Sequence, residues 1–449
     1  MRKTMTVILL AAVVMVVGGV VWYTNIVSTV SLSTPAHEIE WPSLLAHVEL
    51  RPAKPLLANS DISSENAFFH IRRLGSVAEP NTSMDAESRE YRAFRERGYR
   101  RGQYPALEGW LFRNAQALRD AHKAAQMKAC QVPTCRSWRV PRPYLSGVQK
   151  VAEMLRFDAE KEISNGNWGR AASNYRTAVV LGCHVTRGGP LSNYVIAIDI
   201  ISGICESMRR VAMDGLVPLE QTAALRSILQ HAEGGLQSME ETMRFEYVTA
   251  TQELNRRYAD DASLARAFTF GEVSYYVDTV YAHLIAFSQS GYDPERYMSE
   301  TGGVISAIHK GAHERYGIPE RIANEVLPAV IPRYGYPRKQ ALLHVANIRG
   351  TRIVLALCAF KIMNDGDFPR RLQKLVPEYL DNVPRDPFAP HGALFLYERD
   401  QEGKHWKVYS IGPNQIDEGG ATRGFQFGYR PSYTSMRDVS FSSYEFVLP

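Results

Sequence analysis

The chain has 449 residues, 45% of them hydrophobic and 22% charged. That composition excludes a disordered or low-complexity polypeptide, and the length corresponds to about three domain-sized units. Its 52 basic and 47 acidic residues leave a formal charge of +5, too even a balance for a dedicated nucleic-acid binder.

Arg2 and Lys3 precede an uncharged stretch from Met5 to Tyr23. At ~1.5 Å per residue it would span roughly 28 Å as a helix, close to the hydrocarbon thickness of a bilayer. Trp22 and Tyr23 suit the interfacial layer, and the positive end is expected to stay cytoplasmic. The alternative is a cleaved signal peptide, whose apolar core is usually shorter, about 7 to 15 residues. We therefore expect a cytoplasmic tip at 1–4 and a transmembrane helix at 5–23 in the bacterial inner membrane, with the bulk of the chain extracytoplasmic. The membrane is the first expected partner.

Five cysteines in an exported chain leave at least one unpaired. Cys130 and Cys135, separated by a Pro-containing turn, form the natural pair for a disulfide in an oxidising compartment. Cys183, Cys205 and Cys358 lie in apolar helical patterns and read as buried thiols.

Pro35, Pro42, Pro52 and Pro55 mark a stem at 24–60. Next comes an arginine-bearing stretch, Arg89, Arg92, Arg95, Arg97, Arg100 and Arg101, interleaved with Tyr91, Phe94, Tyr99 and Tyr104. It reads either as a surface for RNA or lipid headgroups, or as a solvated helix paired with Glu87, Glu90 and Glu96. The second reading is favoured because export removes nucleic acid and the acids sit at pairing spacing.

From about 144 to 364 apolar residues recur at three and four, which predicts a succession of helices in a body spanning 61–364. Val148, Val151, Leu155 and Ala159 mark one face; Trp168, Ala171, Ala172, Tyr175 and Ala178 mark the next. Further helices are expected over 195–211, 218–233, 235–258, 262–290, 320–330 and 336–364. Short runs around Ala393–Glu398 and Lys404–Ile411 predict a hairpin in a unit at 365–449. The expected fold class is mainly α: a transmembrane helix, an extracytoplasmic helical bundle or array, and a small C-terminal unit containing a β-hairpin.

Three resemblances accompany these patterns. Gly166 to Ala171, continuing to Tyr175 and Ala178, resembles the turn and second helix of one tetratricopeptide unit, with no second copy. The helix 348–364, then Gly366-Asp367-Phe368-Pro369, Leu375-Val376-Pro377, Asp386-Pro387-Phe388, Tyr409 to Asn414 and Asp417-Glu418-Gly419-Gly420, resembles the C-terminal region of the type II secretion major pseudopilin. That resemblance implies a tight Asp-Pro-Phe corner and a two-stranded unit closed by a Gly-rich loop. Gly18-Gly19 is followed by no acidic residue before Glu38, so prepilin-type processing is not expected. Asp417 and Glu418 alone are too few ligands for calcium, which takes about six to eight oxygens. The whole chain more loosely resembles a group of membrane-anchored helical proteins of planctomycete-type bacteria.

Chemistry-bearing groupings are few. His309 and His313 stand one helical turn apart, but Lys310 occupies the place of the Glu in the metalloprotease pattern. Glu240, Glu241, Arg244 and Glu246 share one helix and read as a salt-bridged surface before an acid/base pair. The nucleophile elbow, phosphate loop and dinucleotide turn are absent from the sequence. No catalytic, cofactor or metal residues are assigned. The sequence thus points to a non-enzymatic interaction or scaffold protein with an envelope protein partner and no nucleic acid. Its alternatives are a divergent component of a type II secretion or pilus-like assembly, and an envelope hydrolase.

Overall fold

The computed structural model describes residues 48–52, 65–77, 86–135, 137, 139–261, 264, 268–289, 322, 326, 327, 331, 337–420 and 438–442. They belong to one compact unit that begins at Leu44. The expected transmembrane segment 5–23, most of the stem, and the pair His309 and His313 lie outside the described residues.

Among the described residues the fold is mainly helical, with one small antiparallel sheet. The helices are α1 (Phe68–Ile71), α2 (Ala86–Arg97), α3 (Pro105–Arg113), α4 (Ala115–Gln126), α5 (Pro143–Ser164), α6 (Trp168–Thr186), α7 (Leu191–Met213), α8 (Leu219–Gly235), α9 (Met239–Asp260), α10 (Phe270–Gln289) and α11 (Pro337–Met363). Strands β1 (Leu396–Arg399), β2 (Trp406–Ser410) and β3 (Val439–Ser442) follow.

Helix α5 begins with Pro143 in its first turn, where the missing N–H costs nothing. It ends at Asn165-Gly166, with Gly166 at φ 79° and its N–H bonded to Ile163 O. That positive φ is a position glycine fills without strain. The expected face Val148, Val151, Leu155 and Ala159 is buried and packs on α6 and α7. Helix α9 starts with Ser238 accepting from Glu241 N at 3.1 Å, a Ser-x-x-Glu start that satisfies a free terminal donor.

Helices α7 and α11 are long and apolar enough to cross a membrane, yet the most apolar windows of both lie largely inside the protein, 67% and 72% buried. They are core helices here. Ile348 and Leu355 of α11 join the apolar cluster built from α1 to α8. Its other residues, among them Leu343, Ile353, Val354 and Leu357, join a second cluster. Its apolar residues are not confined to one face, and α11 is the shared wall between the two clusters.

The second cluster is completed by Phe368, Leu372, Leu375, Phe388, Trp406, Val408, Val439 and Phe441. The expected hairpin is present as β1 and β2, paired from Leu396 opposite Tyr409 to Arg399 opposite Trp406. The structure adds a strand that the sequence reading did not include: β3 pairs antiparallel to β2, Val408 opposite Phe441. The Asp-Pro-Phe corner takes a definite form. The Asp386 carboxylate accepts from Phe388 N at 2.9 Å, Ser410 Oγ at 2.7 Å and Ile411 N at 2.9 Å. One side chain thereby ties the chain before the hairpin to the end of β2.

Candidate anion-recognition surface

Helix α2 and the turn after it carry the arginine stretch. Its outer face holds Arg89, Arg92 and Glu96, while Phe94 and Glu87 turn inward. Arg89, Arg92, Arg97, Arg100 and Arg101 are all exposed. No ion pair reaches any of these five among the described residues.

The expected pairing with the helix's own acids is corrected by the structure. Glu87 binds Arg113 of α3, and Glu90 accepts from Leu107 N at 3.0 Å in the first turn of α3. Tertiary packing of α3 has claimed two of the three carboxylates, because a buried or half-buried acid gains more from a fixed neighbour than from a solvated arginine. Only Glu96 stays exposed on that face.

A buried polar network fixes the turn. Gly98 closes α2 at φ 73°, and a Cβ there would sit 2.7 Å from Arg210 Cδ and 2.9 Å from Glu160 Oε2. Tyr99 N donates to Glu160 Oε2 at 2.8 Å, and Tyr104 OH donates to Gly98 O at 2.8 Å. Arg210 reaches Phe94 O and Arg95 O at the helix end, with Glu160 and Glu206 at 3.4 and 3.0 Å. Ser207 donates to the other oxygen of Glu160 at 2.5 Å and shares a 2.7 Å hydrogen bond with Tyr175 OH. Burial pushes the Tyr175 phenol up, aided by the Glu160 charge. Phe94, Tyr99, Tyr104 and Phe157 stack edge-on around the turn. The arginines are therefore presented from a rigid base.

The other groupings have structural partners. Arg244 bridges Glu240 and Glu241, while Glu246, fully buried, accepts from Leu191 N at 2.6 Å and caps α7. A grouping missed in the sequence joins α4, α5 and α6: Thr177 Oγ1 lies 2.9 Å from His122 Nδ1, and Asn174 donates to Asp158 of α5 at 2.8 Å. Burial lowers the His122 pKa, with Asp158 opposing. Thr177 is only 4% exposed, so this hydroxyl meets its histidine inside a helix contact. Nothing in the sequence spacing signals it.

Cys130 and Cys135 are both free, buried thiols in the structure, and Cys135 Sγ donates to Ser137 O at 3.3 Å. Burial pushes the Cys130 thiol up to about 12. In the Gly-rich loop, Asp417 accepts from Gly419 N, Asp438 accepts from Glu418 N and Gly420 N, and Lys407 donates to Gly419 O at 2.5 Å. The described residues hold no group of three or more His, Cys, Asp or Glu able to take a metal ion. No protein-family profile matches the chain, and comparison with the curated proteins and with the solved structures gives no match.

Proposed function

We propose that the chain is a single-pass, membrane-anchored, extracytoplasmic interaction protein whose recognition surface is the arginine face of α2 and its turn. The observation that carries this reading is the contrast in charge use. Around the turn Glu87, Glu90, Glu108 and Glu160 are committed to internal partners and Glu96 stays exposed, whereas five exposed arginines have no ion pair among the described residues. Unpaired guanidinium forks are strong donors to carboxylate and phosphate oxygens. The anchor at 5–23 and the non-enzymatic role belong to the same proposal. A topology reporter fused after residue 449 is expected to be active only outside the cytoplasm. Crosslinking in intact cells is expected to capture an anionic partner, protein or lipid, at this face, and Arg97→Glu with Arg100→Glu is expected to abolish that capture. A reporter active only inside, or crosslinks unchanged by the substitutions, would reject it.

A second reading, a component associated with a type II secretion or pilus-like assembly, draws on the Asp386 corner and the hairpin packed on α11. Cells lacking the chain should then lose secretion or an envelope assembly; unchanged secretion removes this reading.

A further inference from the structure

We propose that the arginine face docks the helical body onto the anionic phosphate headgroups of the bilayer that holds the N-terminal segment. This names the partner of the surface proposed above and rests on that reading. Arg89 and Arg92 lie on the outer face of α2, and Arg97, Arg100 and Arg101 follow without a break in its last turn and the loop beyond. One exposed carboxylate, Glu96, stands among them. The nearby Glu108 is already neutralised by Lys161 at 2.9 Å. The charges are spread along an exposed helix face and an exposed loop, and Gly102 in that loop, at φ 76°, has no heavy atom within 4 Å of where a Cβ would lie. A planar array of phosphates fits such a distribution, since each guanidinium can take its own headgroup.

Two further features agree. Phe112 on α3 is 84% exposed and neighbours Arg113, whose partner Glu87 opens α2. An exposed aromatic ring suits the interfacial layer, where an apolar body and a polar surface are both accommodated. The sequence also places the arginines close behind the expected span: 65 residues separate Tyr23 from Arg89. A tethered surface meets its own bilayer at high effective concentration, so individually weak contacts suffice. Each headgroup-facing arginine is worth about a fivefold change in docking.

The test uses the full chain in nanodiscs of phosphatidylcholine alone or with about one-third phosphatidylglycerol, reading trypsin cleavage after Arg97, Arg100 and Arg101. Anionic discs are expected to slow cleavage at least about tenfold. In about 0.5 M NaCl, where the Debye length is only a few Å, the protection should vanish. Arg89→Gln with Arg92→Gln, which leaves the cleavage sites intact, should reduce the protection several-fold while circular dichroism stays native. Equal cleavage in both kinds of disc would overturn the proposal. So would protection in phosphatidylcholine discs on adding polyphosphate or an envelope protein extract when phosphatidylglycerol gives none, which would assign the face to a soluble polyanion or an acidic protein. An alkaline wash separates the two readings. If the chain leaves the discs, the anchor reading fails, and docking is then scored by co-sedimentation with phosphatidylglycerol against phosphatidylcholine vesicles, where equal binding overturns it.

Discussion

The Cα of Gly147 lies directly against the backbone carbonyl of Leu74, so close that a Cβ at position 147 would overlap that carbonyl. This contact seats the first half of α5 on the 3-10 helix Arg72–Ser76. Glycine in a helix normally costs about 1 kcal/mol relative to alanine. Here the backbone neighbour cannot swing aside as a flexible side chain would. Gly147→Ala is expected to destabilise by about 1–3 kcal/mol, as overpacked sites do. Gly169→Ala, in the first turn of α6 with nothing within 4 Å, is expected to be neutral or to stabilise by up to ~1 kcal/mol. Urea midpoints of the two variants provide the check.

Glu160 holds Ser207, Tyr99 N and Arg210 from a site only 4% exposed. Removing its carboxylate leaves the buried Arg210 with one acid fewer and orphans the Tyr99 N–H. Glu160→Ala should therefore cost about 3–5 kcal/mol, the range for a broken buried pair. Amide exchange at Tyr99 should also rise by more than at α9, because the turn loses its fixed acceptor. Equal increases everywhere would show that Glu160 does not hold the turn.

His184 and His344 are both lowered to about 4. Burial is the main cause in each; for His184 the Arg187 charge adds to it and the Met127 carbonyl opposes it. Neither ring nitrogen of His344 has a hydrogen-bond partner among the described residues. Above about pH 6.5 these rings are neutral in both states and contribute no pH dependence. As pH falls from about 6.5 towards 4, the unfolded chain takes up protons that the folded chain refuses. Stability from these two groups therefore falls through that window, by up to ~1.4 kcal/mol per pH unit for each histidine. His344→Leu should flatten that slope in urea unfolding between those pH values and leave stability at neutral pH unchanged or higher, since it removes orphaned polar atoms.

Asp386→Ala should loosen the C-terminal unit. Three hydrogen bonds end on this carboxylate, two of them from the backbone N–H groups of Phe388 and Ile411. A buried donor left without a partner costs about 1–3 kcal/mol. Asp386→Asn keeps one acceptor oxygen and should lose less. Near-ultraviolet circular dichroism, which senses Trp406 in the second core, would show the loss; a spectrum unchanged in both variants would contradict it.

The sequence by itself determined the local elements. The spacing of Val148, Val151, Leu155 and Ala159, the break at Asn165-Gly166, and the short apolar runs around Leu396 and Trp406 encode helix, stop and hairpin through side-chain periodicity and backbone preference. The arginine stretch was equally visible as a line of residues. Tertiary structure alone decided what those residues face. It gave Glu90 to α3, Glu246 to the start of α7 and Glu160 to Tyr99 across 61 positions. It also brought β3 against β2 and buried α11 between two apolar clusters. Local patterns fix dihedrals and the apolar face, but which distant donor meets a given carboxylate depends on how those faces pack. That choice separates a salt-bridged helix from one whose exposed arginines have no ion pair among the described residues.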